Sequence, residues 1–183
     1  EAYDVTNDYA EIAQILMEKD LKHLKQLELD PLKAVKVMLA QKVQNTKEGF
    51  EKVEVPCVVE YKYDGFRMLI GKKGDKIVIH TRRLENVTAQ FPEVVELIRT
   101  NVKADSFIID GEAVGYDPKT KKYVPFQNIS QRIRRKYDIE QMAKEVPVEL
   151  NVFDILLFEG KSIIKEPYEK RRKIIEKIIK PKE

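Results

Sequence analysis

Residues 66–81, FRMLIGKKGDKIVIHT, constrain this chain more than any other stretch. Two apolar, β-branched runs flank Lys-Lys-Gly-Asp, the composition of a hairpin turn between paired strands. A chain that must pair these runs is not an all-helical bundle. Further β-rich stretches extend the sheet: PCVVEYKY just before the hairpin, SFIIDGEAVGYD at 106–117, and PVELNVFDILLFEG at 147–160, which reads as a long central strand closed by Gly160. DPKTKKY at 117–123 reads as a turn.

Helical periodicity fills the intervals. From Asp8 to about Leu27, Tyr9, Ile12, Ala13, Leu16, Met17, Leu21 and Leu24 recur at helical spacing, with Asn7 placed to cap one amphipathic helix. Asp30-Pro31 ends it, because a residue before proline disfavours helical geometry, and PLKAVKVMLAQKV follows as an apolar and basic connector. Pro92 to Val102 predicts a helix with proline in its first turn and Val94, Val95, Leu97 and Ile98 on the buried face. The terminal EPYEKRRKIIEKIIKPK predicts another, with Ile174, Ile175, Ile178 and Ile179 inward and the basic residues outward. Strands and helices in this order define an α+β fold.

Composition narrows the classes. With 183 residues, 43% hydrophobic, the chain buries a core of one domain plus an appendage. Its charged fraction of 36% against a net charge of +3 describes a surface dense in both signs, a bias toward Lys and Glu that suits a thermophile. Cys57 is the single cysteine, which excludes an internal disulfide, fits a reducing cytoplasm, and reads as a small buried apolar residue. No apolar run reaches membrane-spanning length, and the opening EAYDVTNDYA has no signal-peptide pattern, so an intracellular protein is expected.

The chemistry begins with exclusions. No G-x-x-x-x-G-K-[ST] loop is present, and GKKGDK belongs to the hairpin. His23 and His80 have no partners at ligand spacing, which argues against zinc. What stands out is EYKYDGFR at 60–67. Lysine is a nucleophile once its ammonium loses a proton, and desolvation or a neighbouring cation promotes that loss. An Asp64-Gly65 turn would fold the next strand back so that Arg67 faces the same cavity as Lys62, a geometry suited to attack on phosphorus. The same letters also fit a plain hairpin with its lysine in water, and RIRRK at 132–136 fits either a solvated face or a phosphate-backbone contact.

Several stretches together resemble one family. EYKYDGFR is similar to the K-x-D-G signature of covalent nucleotidyltransferases. HTRRLENVTAQFPEV resembles the segment in which arginine follows Ser or Thr and a helix begins at Phe-Pro, and FIIDGEAVGYD the acidic D-G-E motif. ELNVFDILLFEGKSIIKEPYEKRR resembles the segment with Phe-Asp and a later Arg-Arg pair, and YVPFQNISQRIRRK the P-F-Q…R-x-R-K stretch. In this order, over roughly residues 31–175, they resemble the adenylation domain of ATP-dependent DNA ligases of archaeal and eukaryal type.

That resemblance implies a nucleotidyltransferase (ATP-grasp-like) fold with antiparallel sheets and flanking helices, preceded by a helical segment. It implies residues 1–30 as the tail of an N-terminal helical DNA-binding domain, 31–48 as connector and 49–183 as part of an adenylation domain. Lys62 would take AMP from ATP as a phosphoramidate. Glu60 would read the adenine amino group, Phe153 would stack on the base, and Arg67 and Arg82 would contact ribose or phosphate. Glu112 would accept from a ribose hydroxyl and lie near Mg²⁺. AMP would pass to the 5′-phosphate of nicked double-stranded DNA and the nick be sealed, in DNA replication, repair and recombination. The implied setting is a cytoplasmic, nucleoid-associated enzyme with no membrane partner, and a sliding-clamp partner is left open. Family members also carry an E-G-[LVI]-[MV]-x-K motif, a further lysine motif and an OB domain, none of which stands before Glu183, so a fragment is expected. Three other readings share features: an RNA ligase or mRNA capping enzyme with the same K-x-D-G, a noncatalytic nucleic-acid-binding module, and an interaction scaffold.

Overall fold

The computed structural model describes residues 3, 6, 8–19, 21–25 and 27–181. The expected hairpin is present: β1 (Phe66–Lys73) pairs antiparallel with β2 (Lys76–Thr81) around a two-residue turn. β1 pairs on its other side with β3 (Ser106–Gly115), β3 with β4 (Val148–Phe158), and β4 with the short β5 (Lys161–Ser162), so the order is β2-β1-β3-β4-β5, all antiparallel. The central strand is therefore β3 and not, as the sequence suggested, the 147–160 stretch. Beyond Leu157 and Phe158, β4 has no ladder partner on its outer side among the described residues.

Both faces of the sheet are covered. On one face, Phe66, Met68, Ile70, Ile79, Phe107, Ile109 and Ile155 pack against Val94 and Ile98 of α4 (Pro92–Asn101), Ile129 of α5 (Phe126–Ile133), and Ile175 and Ile178 of α7 (Tyr168–Ile178). α4 starts at Pro92 as expected, and of the isoleucines expected inward on the last helix Ile175 and Ile178 are buried while Ile174 and Ile179 are half-buried. On the other face, Leu69, Ile108 and Leu157 meet Leu29 and Val35. The connector thus crosses the sheet, and it does so at Gly71, where any Cβ would fall 1.5 Å from the Pro31 carbonyl oxygen.

Other expectations are corrected. The N-terminal helix is two pieces, α1 (Tyr9–Glu18) and α2 (Leu21–Lys25), because Lys19 adopts an extended backbone. Asn7 lies outside the described residues; Asp8 caps α1, its carboxylate accepting from the backbone N–H groups of Ala10 and Glu11. α1 buries no residue and is tied to the connector by a 2.7 Å pair between Glu11 and Lys33. α3 (Thr46–Val53), capped by Asn45, and α6 (Ile139–Glu145) complete the helices. PCVVEYKY forms no strand: it enters no ladder among the described residues although the outer edge of β4 is open before Leu157, so β propensity alone does not make the pairing. Its Cys57 is half-buried.

RIRRK contains the largest departure from a solvated face, because Arg132 is 1% exposed. Its guanidinium donates to the carbonyls of Val146 and Gln90 at 3.0 and 2.9 Å and pairs with Glu93 at 2.7 Å. It also lies 4.4 Å from the centre of the Phe91 ring. One side chain thus joins α5, the start of α4 and the chain leaving α6. Removing one member of a buried pair strands the other, so Arg132→Ala is expected to cost roughly 3 kcal/mol, measured as a lower urea midpoint at unchanged m-value. A loss under about 1 kcal/mol would place the guanidinium in the surface class instead.

Candidate active site

A cleft of about 1390 Å³ runs beside the first half of β4, with the 58–63 segment on one wall and the start of α7 on another. Glu60, Lys62, Glu112 and Phe153, four of the six residues singled out from sequence, line it. Each arrives from a different local device.

Lys62 stands on the segment 54–65, which has no ladder bonds among the described residues, and its side chain is exposed rather than partly desolvated. Two contacts flank it. On the N-terminal side the Tyr168 hydroxyl donates a short hydrogen bond to the Glu60 carboxylate. On the C-terminal side the Gly65 N–H favours the ionised form of the Glu112 carboxyl. Glycine is required there because a Cβ at Gly65 would lie 2.2 Å from the Ala113 carbonyl oxygen of β3. The Asp-Gly element is therefore a close approach to the central strand that delivers the lysine.

Glu112 is half-buried on β3, opposite Arg67 of β1. Burial pushes its carboxyl above the ordinary glutamate value, and the charges of Lys62 and then Arg67 oppose that push. Phe153 owes its position to an irregularity: Asp110 pairs with Asp154 and Gly111 with Val152, so Phe153 is the extra residue of a β-bulge. Bulges re-aim side chains beside functional clefts. Its ring lies 5.7 Å from the Arg67 guanidinium.

Arg67 does not line the cleft. Its Nε donates to both Asp110 oxygens at 2.8 and 3.1 Å, a terminal nitrogen contacts the same carboxylate, and the other reaches the Met38 carbonyl at 3.5 Å. That bonding raises the proton affinity of the guanidinium, while burial pushes the Asp110 carboxyl upward against the opposing pull of Arg67. Arg82 is exposed in the turn after β2 and also lies outside the cleft lining.

Sequence reasoning missed three contributors. Tyr168 opens α7 and enters the cleft; Arg172, already noted only as part of an Arg-Arg pair, lines the cleft and donates to the Val152 carbonyl at 3.2 Å. Glu149 accepts from the Tyr123 hydroxyl at 2.6 Å and from the Asn151 side chain at 3.1 Å. The bond to Glu149 is the main cause that drives the Tyr123 phenol up to about 12. A tyrosine in the first turn of a predicted helix was the only available signal for Tyr168.

Comparison with known proteins gives the class first. The family described as ATP dependent DNA ligase domain matches residues 37–183, and the chain belongs to that family. More particularly, it is similar to archaeal DNA ligases: 50% identical over 182 residues to that of Nanoarchaeum equitans, covering 100% of this chain and 32% of the relative, and 41% identical to that of Methanopyrus kandleri, covering 100% and 33%. The chain spans about a third of the length of these curated relatives. A solved mycobacterial DNA ligase D complexed with ATP and MES aligns with 64% of this chain and 35% of its own at 28% identity, with a TM-score of 0.47.

The environment of Glu112 sets a pH dependence. A carboxyl whose pKa is raised on folding is bound more tightly by a proton in the folded state than in the unfolded chain. Its favourable contribution is complete below the unfolded value and is lost as pH rises through the folded one. Relative to Glu112→Gln, the wild-type chain should therefore become less stable as pH climbs from the ordinary 4.5 toward neutrality. Parallel urea titrations of the two proteins measure this, and a difference that does not change with pH contradicts it.

Proposed function

We propose that this chain is the nucleotide-charging part of an ATP-dependent DNA ligase, with Lys62 as the nucleophile. The observation that carries the reading is the placement of an exposed lysine beside the half-buried Glu112, on the wall of a cleft that also holds Glu60 and the bulge residue Phe153. The Lys62 amine, having lost a proton to solvent, forms a bond to the α-phosphorus of ATP. The bond from that phosphorus to the bridging oxygen breaks, pyrophosphate leaves with its electron pair, the nitrogen gives up a second proton to solvent, and AMP remains on the now neutral Nζ as a phosphoramidate. Phe153 offers a flat face to the purine and Glu60 an acceptor to its amino group.

Among the described residues no three His, Cys, Asp or Glu side chains form a cluster able to hold a metal ion. Magnesium is commonly held by one or two carboxylates together with substrate phosphates, and Glu112 fits as one such ligand. When bound, the ion neutralises charge on the phosphates. Arg67 and Arg82 are the proposed ribose and phosphate contacts, Arg67 sharing its guanidinium with Asp110. The proposed acceptor of AMP is nicked double-stranded DNA, engaged through its phosphates, for which the exposed Arg134 and Lys136 are suited. In this reading residues 1–30 are the tail of a DNA-binding domain, 31–48 a connector and 49–183 part of the adenylation domain, and the enzyme works in the cytoplasm on the nucleoid. No described helix is long and apolar enough to cross a membrane.

Intact-protein mass after incubation with Mg²⁺ and ATP should show a single AMP adduct that maps to Lys62, is absent with GTP and disappears in Lys62→Ala. Phe153→Ala should weaken ATP binding by roughly tenfold, the scale of one lost base stack. An adduct that persists in Lys62→Ala, or salt-dependent DNA binding by a chain that neither binds ATP nor forms an adduct, would falsify the assignment in favour of another nucleophile or a noncatalytic module.

A further inference from the structure

Tyr168 touches both residues assigned to the adenine base. Its hydroxyl donates to Glu60 and lies 3.3 Å from the Phe153 carbonyl oxygen. We propose that Tyr168 is a positioning residue that fixes the Glu60 carboxylate and thereby sets the preference for adenine over guanine. This rests on the reading of Glu60 as the acceptor from the adenine amino group.

The two partners differ in how firmly they are held. Tyr168 is the first residue of α7, a helix anchored by Ile175 and Ile178 in the core and by Arg171, which pairs with both oxygens of Asp154 at 2.7 and 3.0 Å. Glu60 is exposed on a segment with no ladder bonds among the described residues. Left alone, such a side chain samples many rotamers in water, and a group that must read one atom of a base gains little from that freedom. The phenol occupies one carboxylate oxygen and leaves the other as an acceptor on the cleft wall. Burial, and then the bond to Glu60, raise the phenol to about 12, so it keeps the proton it donates throughout the neutral range.

The consequence for specificity follows from the bases. Adenine presents an N–H donor at the position where guanine presents a carbonyl oxygen. A carboxylate held in place accepts from the first and opposes the second, and a site built around such a bond rejects the analogue that lacks the donor. A carboxylate free to swing into water loses that opposition, so guanine is penalised less. Because Lys62 follows Glu60 by two residues, the same bond also restrains the path of the chain on which the nucleophile stands.

Tyr168→Phe tests this, since it keeps the ring against which the Arg171 guanidinium lies 5.7 Å from the centroid and removes only the hydroxyl. Calorimetric titration of the 183-residue chain with ATP and with GTP gives the preference directly. We expect the preference for ATP to fall about tenfold in Tyr168→Phe, as befits a hydrogen bond to a charged group, with an unchanged melting temperature. Glu60→Ala should lose the preference to a similar or greater extent, and the double variant should be no worse than Glu60→Ala alone. Equal weakening of both nucleotides in Tyr168→Phe, or effects that add in the double variant, overturns the positioning role. A wild-type chain that binds ATP and GTP alike overturns the adenine reading of Glu60 itself, and the role of Tyr168 with it; a wild-type preference that survives Tyr168→Phe overturns the role of Tyr168 alone.

Discussion

Two carboxylates that face each other across neighbouring strands organise this molecule. Asp110, 1% exposed on β3, is the register partner of Asp154 on β4, whose charge adds to the cost of ionising Asp110. Each is answered from a different element: Asp110 by Arg67 of β1, Asp154 by Arg171 of α7. Apolar packing alone would leave the strands and the helix several acceptable placements, because hydrophobic contact is not directional. Two-oxygen contacts to planar guanidinium groups are directional, and they admit one placement. The third nitrogen of Arg67 extends the arrangement to the Met38 carbonyl, so the connector that crosses the sheet is fixed to the same point. An anion drawn to Arg67 must therefore share a guanidinium already engaged at all three nitrogens.

The position of the cleft follows from this frame. Phe153 is the bulge residue directly before Asp154, so the pair that holds Asp154 also holds the irregularity that aims the ring. Tyr168 lies three residues before Arg171 on the same helix, and the same pair thus fixes where its phenol meets the 54–65 segment. Structural and functional groups alternate along both β4 and α7. The scaffold does not merely surround the cleft; its charge pairs are adjacent in sequence to the groups that line it.

This adjacency explains what was legible in the sequence. The hairpin, β3, α4 and α7 follow from short-range pattern, and Lys62, Glu60, Glu112 and Phe153 follow from short motifs, so both kinds of feature could be read locally. The unpaired state of PCVVEYKY could not, because whether a β-prone run joins a ladder depends on tertiary context rather than on the run itself. Burial of Arg132 was hidden for the same reason: RIRRK carries no sign of Phe91 and Glu93 some forty residues earlier. The bond from Tyr168 to Glu60 spans 108 residues, and no periodicity announces a contact at that separation. Gly71 had a local reading as a strand residue, while its actual constraint is the Pro31 carbonyl passing over it.

An exposed lysine beside a half-buried acid has its own logic. Of the charges that favour the ionised form of Glu112, that of Lys62 has the largest effect, and Arg67 follows. The lysine and the glutamate are therefore compensating partners while the lysine carries no nucleotide and its positive ammonium is intact. In the proposed charging step that ammonium becomes the neutral nitrogen of a phosphoramidate, so Glu112 loses the main positive charge that offset its burial. Its ionised form must then find another cation or a hydrogen-bond donor, or take up a proton. A ribose hydroxyl and a metal ion are the two groups proposed for that position. In the proposed charging step, the environment that makes Glu112 costly to ionise in the free chain thus favours its taking such a partner once Lys62 has reacted.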